Sequence, residues 1–259
     1  MIDSRVLIRS LLGHSQIRGV SVDSPEFREV SRKIIREKPC LRKIYDEWYG
    51  MFADGVPKGE GIILEIGSGS GFCSEIIPGV VTSDISIIQG IDLVFDACDR
   101  FPFADSTLKS ILMINTFHHL PSPENFLHEA YRCLKTGGKL LMIEEWMTPW
   151  SRFVYTKLHH EPFEPDVKEW EYPSTGPLSS ANGAMPWIIF KRDRKLFEDR
   201  FPHLIVEKIQ PIMPIRYLLS GGVSMRTLVP EYSFWFWKMV ERVCDFMAMF
   251  AMIRLVKSE

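Results

Sequence analysis

The chain has 259 residues, 46% of them hydrophobic, and a formal net charge of −2. That length supports one large domain, or one domain with a lid, and that hydrophobic content excludes a disordered chain. The near-neutral balance provides no basic excess for a phosphate backbone, so nucleic acid is not the expected partner. Cys40, Cys73, Cys98, Cys133 and Cys244 are scattered without a CxxC spacing. An odd, unpatterned set suits reduced thiols in a reducing compartment better than a disulfide framework or a zinc site. The first residues, MIDSRVLIRSLLGHS, are interrupted by Asp3, Arg5 and Arg9 and lack the apolar core of a secretory signal. The longest apolar run near the end, FMAMFAMI, falls well short of the roughly 20 residues of a membrane span. A cytoplasmic protein is the expectation.

In chain order, DSPEFREVSRKIIREKPCLRKIYDEWYGMF predicts two helices broken at Pro39, with Asp23 and Glu26 at capping-box spacing and Pro25 in the first turn. IILEI, from Ile62, reads as a strand that opens into glycines, with a short helix from Phe72 to Ile77. VVTSDI, IDLVFDA and SILMIN supply three more strands, the last apolar on both faces as a buried parallel strand should be. SPENFLHEAYRCLKTGG predicts a helix capped by Ser122 and stopped by Gly137 and Gly138, and KLLMIEEW a fifth strand. After Trp146 the alternation breaks into a stretch rich in proline and aromatics, of the kind that forms lids and binding loops. WIIFKRDRKLFEDRF then reads as a helix and HLIVEKIQPI as a strand. In the amphipathic EYSFWFWKMVERVCDFMAM, Lys238, Glu241, Arg242 and Asp245 share a polar face, and Phe236, Val240, Val243 and Met247 line the other. FAMIRLVK closes the chain as a strand at the sheet edge. Repeated strand–helix alternation predicts a parallel sheet covered on both faces.

The glycines after the first strand are the informative feature. A buried strand that ends in IGSGSG lets something flat or charged approach the main chain. A dinucleotide fingerprint needs its third glycine where this chain has Phe72, which disfavours a nicotinamide-dependent oxidoreductase. The spacing is instead Glu65-x-Gly67-x-Gly69-x-Gly71, followed by TSDIS, and it resembles the class I methyltransferases that use S-adenosylmethionine (SAM). DACDRFPFADSTLKSILMINTFHHLPSPENFLHEAYRCLKTGGKLLMIEEW resembles the second half of the same family, of the type 11 methyltransferase-domain kind. The likeness runs from about Ile62 to Glu145, roughly a third of the chain.

The resemblance implies a Rossmann-like α/β fold with a mostly parallel seven-stranded sheet, helices on both faces, a lid and an amphipathic C-terminal helix. It divides the chain into a helical cap at 1–59 and a SAM-binding domain at 60–259, with an acceptor lid inserted at about 147–187 and a helical insertion at about 216–248. It implies SAM as cofactor and S-adenosylhomocysteine as product. Gly67, Ser68, Gly69 and Gly71 then cradle the cofactor, and Asp84, with Ile85 beside it, receives the ribose hydroxyls. Asp96 and Ala97 lie beside the adenine, Asn115 sits at the open end of the fourth strand, and Glu65 acts on the cationic methionyl side.

Methyl transfer needs a nucleophile held in line with the carbon–sulfur bond, and a general base where the acceptor is a hydroxyl. His118 and His119, after the fourth strand, and His159 and His160, in LHHEPF, are the candidate bases. No metal is assigned, because adjacent side chains such as His159 and His160 tend to diverge. Glu144 and Glu145 end the fifth strand on the ligand side; one orients an acceptor, or both cap and pair locally. Trp146, Trp150, Phe153, Tyr155, Trp170, Tyr172 and Trp187 either stack on the acceptor or sulfonium or pack as core. The expected activity is methyl transfer to oxygen of a small-molecule, glycan or lipid-linked acceptor, with a non-catalytic SAM-binding regulator as the rival. NTFHHL replaces the Pro-Pro-Tyr-type tetrapeptide of DNA amino-methylating enzymes. The C-terminal helix packs on the sheet or on a second copy as a homodimer, or lies on a membrane as a peripheral contact.

Overall fold

The computed structural model describes residues 13–159, 161–174 and 176–259, so the expectations for the first residues and for His160 lie outside the described part. Seven strands form one sheet: β1 (Ile62–Ile66), β2 (Val80–Asp84), β3 (Leu93–Val94), β4 (Leu108–Ile114), β5 (Leu134–Glu145), β6 (Leu204–Ile212) and β7 (Phe250–Lys257). Their order is β3-β2-β1-β4-β5-β7-β6. β1 to β5 run parallel, and β7 runs antiparallel to both neighbours. This is the Rossmann-like, mostly parallel seven-stranded architecture that the family resemblance implied, and its parallel part is what the strand–helix alternation predicted. Central strands lie under cover on both faces, so Leu64, Ile111, Leu112 and Leu140 to Ile143 are fully buried.

The two N-terminal helices form as expected, α1 at Pro25–Glu37 and α2 at Pro39–Gly55. Ser24, not Asp23, caps α1, accepting from Phe27 N–H. Asp23 instead accepts the N–H groups of Leu178 and Ser179, tying the later insertion to the start of α1. On α2, Trp48, Tyr49 and Phe52 are fully buried against the sheet core. Phe72 to Ile77 holds only a 3-10 turn at Cys73–Glu75. The helix α3 (Pro123–Cys133) stops before Gly137 and passes directly into β5, so both glycines lie in the strand. Ser122 makes no cap bond there; its hydroxyl donates to Glu171.

The region after Trp146 is less irregular than its composition suggests. It begins with α4 (Pro149–Lys157), entered through a capping box between Thr148 and Ser151. A short helical segment at Met185–Trp187 runs into a π-turn at Ile188–Arg192 and then α5 (Arg194–Arg200). FAMIRLVK does form a strand, but not at the edge: β7 lies between β5 and β6. Its first four residues are all buried, which an edge position does not provide. β6 takes the edge, where Pro211 needs no ladder donor and alternate side chains meet water.

The C-terminal helical stretch is turned over relative to expectation. After α6 (Arg216–Ser220), the helix α7 (Phe234–Glu241) buries Glu241 and exposes Phe236; Val243, just beyond it, is also exposed. An ion network decides this orientation. Arg216 donates from Nη1 and Nη2 to the Glu47 carboxylate, both at 2.9 Å, and from Nε to Glu241. Glu241 also accepts the N–H groups of Ile215 and Arg216, and Lys238 donates to Glu47. The side chains of Arg216 and Glu241 are both 7% exposed. A buried, fully hydrogen-bonded charge outweighs the apolar surface left outside, since an unpaired one costs several kcal/mol. Among the described residues, no helix is long and apolar enough to cross a membrane.

Replacing Glu241 strands Arg216 Nε and two buried N–H groups. Glu241→Ala is expected to destabilise the protein by roughly 3 kcal/mol, read as a lowered urea midpoint at unchanged m-value. Lys139→Ala, which removes a half-exposed pair with Glu207, should cost less than about 1 kcal/mol in the same assay.

Candidate active site

At the C-terminal ends of β1, β2 and β4, a cavity of about 310 Å³ runs from the glycine turn to the chain around His118. The turn after β1 is drawn inward by hydrogen bonds to the end of β2. Gly69 N–H donates to Asp84 Oδ2 at 3.1 Å and Ser68 N–H to the Ser83 carbonyl at 2.9 Å. Ser68 Oγ donates to the Glu65 carbonyl and accepts Ser83 N–H, which knots it into the junction and away from the cavity wall. Gly67, at φ +74°, adopts a left-handed conformation.

The glycine clearances differ from expectation. A Cβ on Gly67 would overlap the Thr116 side chain, one on Gly71 the Tyr49 hydroxyl, and one on Gly69 would lie 2.7 Å from Asp84 Oδ2. The space given up by these side chains is filled by the protein, and the turn meets the cavity through its backbone.

Glu65, Gly67, Gly69, Gly71, Asp84, Ile85, Asp96, Ala97 and Asn115 all line this cavity; Ser68 does not. Asp84 is already engaged on both oxygens, by Gly69 N–H, by Ser86 N–H at 2.9 Å and by Arg28 Nε at 3.4 Å. Arg28 and Ser31, both buried on α1, are cavity residues that the sequence reading missed. Their spacing before Ile35 puts them on the buried face of α1, but only the packing of α1 over the turn brings them into the cavity. Glu65 is 3% exposed, and its Oε2 has no hydrogen-bond partner. Burial, with the Asp84 charge adding to it, pushes its carboxyl up to about 7. Asn115, at φ +48°, suits the left-handed conformation better than most residues do, and its Oδ1 is also unpartnered.

The far end is a cluster of histidines and acids. A 3-10 turn at Phe117–His119 places the His118 and His119 rings 4.2 Å apart. Glu144 is fully buried; its Oε1 accepts the Thr116 and Phe117 N–H groups, and its Oε2 lies 2.7 Å from His118 Nδ1. His118 Nε2 lies 3.5 Å from Glu161 Oε2. Burial opposes charge on His118, but the Glu144 contact outweighs it and holds the imidazole well above its usual range. His119 donates from Nδ1 to the Ser180 carbonyl at 3.0 Å, so its Nε2 carries the lone pair. Burial, followed by the neighbouring His118 charge, lowers it to about 4. Burial raises Glu145 to about 8. Glu161 is held below the usual carboxylate range because the His118 contact outweighs its burial.

His118, His119, His159, Glu145 and Glu161 therefore share one wall of the cavity. The insertion is docked there by Asn182 N–H and the Tyr172 hydroxyl, both donating to the His118 carbonyl. Apart from Phe153, which is exposed, its aromatics take the other course considered above and pack in or against the core. None of Trp146, Trp150, Phe153, Tyr155, Trp170, Tyr172 and Trp187 lines the cavity, whose rings come from Phe27, Tyr45, Tyr49, Phe95 and Tyr217. Trp150 Nε1 donates to the Pro214 carbonyl and Trp170 Nε1 to Asp193, which fixes both rings in the packing.

Residues 64–142 match the family model described as methyltransferase domain. No curated protein matches the chain significantly in sequence. Among solved structures, the phosphoethanolamine N-methyltransferase 2 of Haemonchus contortus, in complex with SAM, is 12% identical with a TM-score of 0.50, over 94% of this chain and 60% of that one. The geranyl diphosphate C-methyltransferase of Streptomyces coelicolor, in complex with Mg2+, geranyl diphosphate and S-adenosylhomocysteine, is 14% identical with a TM-score of 0.49, over 95% of this chain and 90% of that one. The chain thus carries a class I methyltransferase domain. It is a SAM-dependent methyltransferase. The first of these proteins is named for methylation at nitrogen and the second at carbon.

The Gly71–Tyr49 contact gives a paired test. Gly71→Ala should destabilise the protein by driving its methyl into the Tyr49 hydroxyl, and Gly71→Ala combined with Tyr49→Phe should lose less than the sum of the two single changes. Chemical denaturation of the four proteins measures that coupling; additivity would show that the turn relaxes away from α2.

Proposed function

We propose that the cavity binds SAM at its glycine-turn end and positions a hydroxyl-bearing acceptor at its histidine–carboxylate end for methylation at oxygen. The supporting observation is that three buried polar atoms without partners, Glu65 Oε2, Asn115 Oδ1 and Ser31 Oγ, belong to residues lining this one cavity. Buried polar groups are nearly always satisfied, so three orphans around one hollow fit a polar ligand. The residues suit SAM in kind: Glu65 for the ammonium, Asp84 for a ribose hydroxyl, and Phe95, Asp96 and Ala97 for the base. Asp84 retains lone-pair capacity beyond the bonds from Gly69, Ser86 and Arg28. SAM supplies an electrophilic methyl on a sulfonium, and the protein's part is to bind, align and exclude water.

At the other end, His119 Nε2 offers a hydrogen-bond acceptor, and the Glu145 carboxyl, raised to about 8, keeps an accepting carbonyl oxygen when protonated. Such a wall favours an acceptor that arrives with an O–H to donate. The segment 216–248 adds a clue to how the acceptor arrives. It gives Tyr217, Val223 and Ser224 to the cavity wall, and it leaves Tyr232, Trp235, Phe236, Met239, Val243 and Phe246 exposed on its outer side. An aromatic face beside the cavity supports peripheral contact with a membrane that carries a lipid-linked acceptor.

SAM binding tests the first half. Calorimetry should detect it in the full chain, with at least tenfold weaker binding in Asp84→Ala; no binding by folded protein would remove the proposal. The Glu65 carboxyl, raised to about 7 in the unliganded site, must ionise to pair with an ammonium. Affinity should therefore fall as pH drops below about 7, by up to tenfold per unit, with a proton released on binding near pH 6.5. Glu65→Gln should bind more weakly and lose that dependence. For the membrane contact, the protein should float with phosphatidylglycerol-containing vesicles and Trp235→Ser/Phe236→Ser should not; equal flotation of both would rule it out.

A further inference from the structure

We propose that the histidine–carboxylate end of the cavity is a binding site for one divalent transition-metal ion, held by His118, His119 and Glu161, with an open position toward the acceptor. This deepens the methyltransferase reading, since the open position is where an acceptor oxygen would bind.

The geometry carries the inference. One donor atom from each of His118, His119 and Glu161 lies within 4.8 Å of the other two, and the same holds for Glu145, His159 and Glu161. Glu161 is common to both sets, so five candidate ligands surround one small space. His118 Nε2 and Glu161 Oε2 are 3.5 Å apart. Two donors at about 2.1 Å from a shared ion stand roughly 3.0–3.4 Å apart in octahedral or tetrahedral geometry, so little movement is needed.

The ring orientations give a second and independent reason. A metal-ligating histidine almost always donates its other ring N–H to a carboxylate or a backbone carbonyl, which fixes the tautomer and aims the free nitrogen. Both arrangements occur here. His118 Nδ1 faces Glu144 Oε2 at 2.7 Å, and His119 Nδ1 faces the Ser180 carbonyl at 3.0 Å. Glu144 is itself locked by two backbone N–H groups, so the first of these supports is rigid.

A third observation is Glu145. It is 5% exposed, lines the cavity beside these ligands, and shares a second set of close donor atoms with His159 and Glu161. A buried carboxylate in that position suits a further ligand or a hydrogen-bond acceptor for metal-bound water. Two imidazoles and a carboxylate, leaving positions open, favour Mn2+, Fe2+, Co2+ or Zn2+ over Mg2+ or Ca2+, which prefer all-oxygen sites.

The test uses tag-free full-length protein stripped with chelator and titrated with Co2+. The expected result is one equivalent bound per chain, with visible d–d absorption, and at least 100-fold weaker binding in both Glu161→Gln and His119→Gln. Thermal denaturation and SAM calorimetry of each variant establish that it is folded with its cofactor end intact. Should a variant misfold, Glu145→Gln provides the parallel reading, with at least tenfold weaker binding expected. Folded, SAM-competent protein that takes up no Co2+, or Co2+ uptake that these substitutions leave unchanged, overturns the metal site while sparing the methyltransferase reading. Co2+ uptake without SAM binding would do the reverse.

Discussion

The hydrogen bond from Gly69 N–H to Asp84 holds the turn after β1 against the end of β2, and the shape of the cavity depends on it. The three glycines around that bond each receive a different part of the protein. Thr116, beyond β4, fits over Gly67, Asp84 over Gly69, and Tyr49, from α2, over Gly71. One short turn therefore sets the relative positions of two strand ends and a helix. Backbone freedom serves interlocking here as much as ligand approach. A side chain at any of these positions would displace a neighbouring element and, with it, a wall of the cavity.

The two ends of the cavity handle buried charge differently. At the glycine end, Glu65 is desolvated with one oxygen unpartnered, and burial pushes its carboxyl up to about 7, so its negative charge is only partly formed near neutral pH. At the histidine end, His118 lies between Glu144 and Glu161, and positive and negative charges are compensated within the protein. The first arrangement favours a cationic ligand by leaving a charge unmatched; the second keeps a polar wall rigid in a low-dielectric site.

How far the sequence disclosed this structure follows from the range of the forces involved. β1, β2 and β4 were legible because local apolar runs bounded by glycine or acid leave few other options. Gly67, Gly69, Asp84, Asp96 and Asn115 were legible as a spaced pattern, and they do meet at one hollow. Arg28 and Ser31 were not, since polar side chains on the buried face of α1, ahead of Ile34 and Ile35, become cavity residues only through what lands over them. The orientation of α7 was misread because amphipathic patterning treats Glu241 as a water-facing residue. Arg216, on a separate helix, makes it an interior one. The aromatics after Trp146 were legible only as either acceptor contacts or core; the Pro214 carbonyl and Asp193 draw the Trp150 and Trp170 indoles into the packing. LHHEPF was legible as a polar segment of the insertion, but the convergence of His159 and Glu161 with His118, His119 and Glu145 depends on tertiary anchors such as Asn182 N–H on the His118 carbonyl.

The placement of β7 bears on how the molecule is made. Seven consecutive residue pairs join β5 to β7, from Lys139↔Val256 to Glu145↔Phe250, and β6 joins the sheet only through β7. During synthesis, the edge of β5 away from β4 therefore waits with an open hydrogen-bonding rim until more than a hundred further residues have been added. Glu144 and Glu145 lie in that waiting strand, so the histidine–carboxylate wall matures late. A nascent chain stalled before residue 250 would carry the glycine turn essentially complete beside an unclosed edge, a template for strand pairing with other chains and a natural target for chaperones.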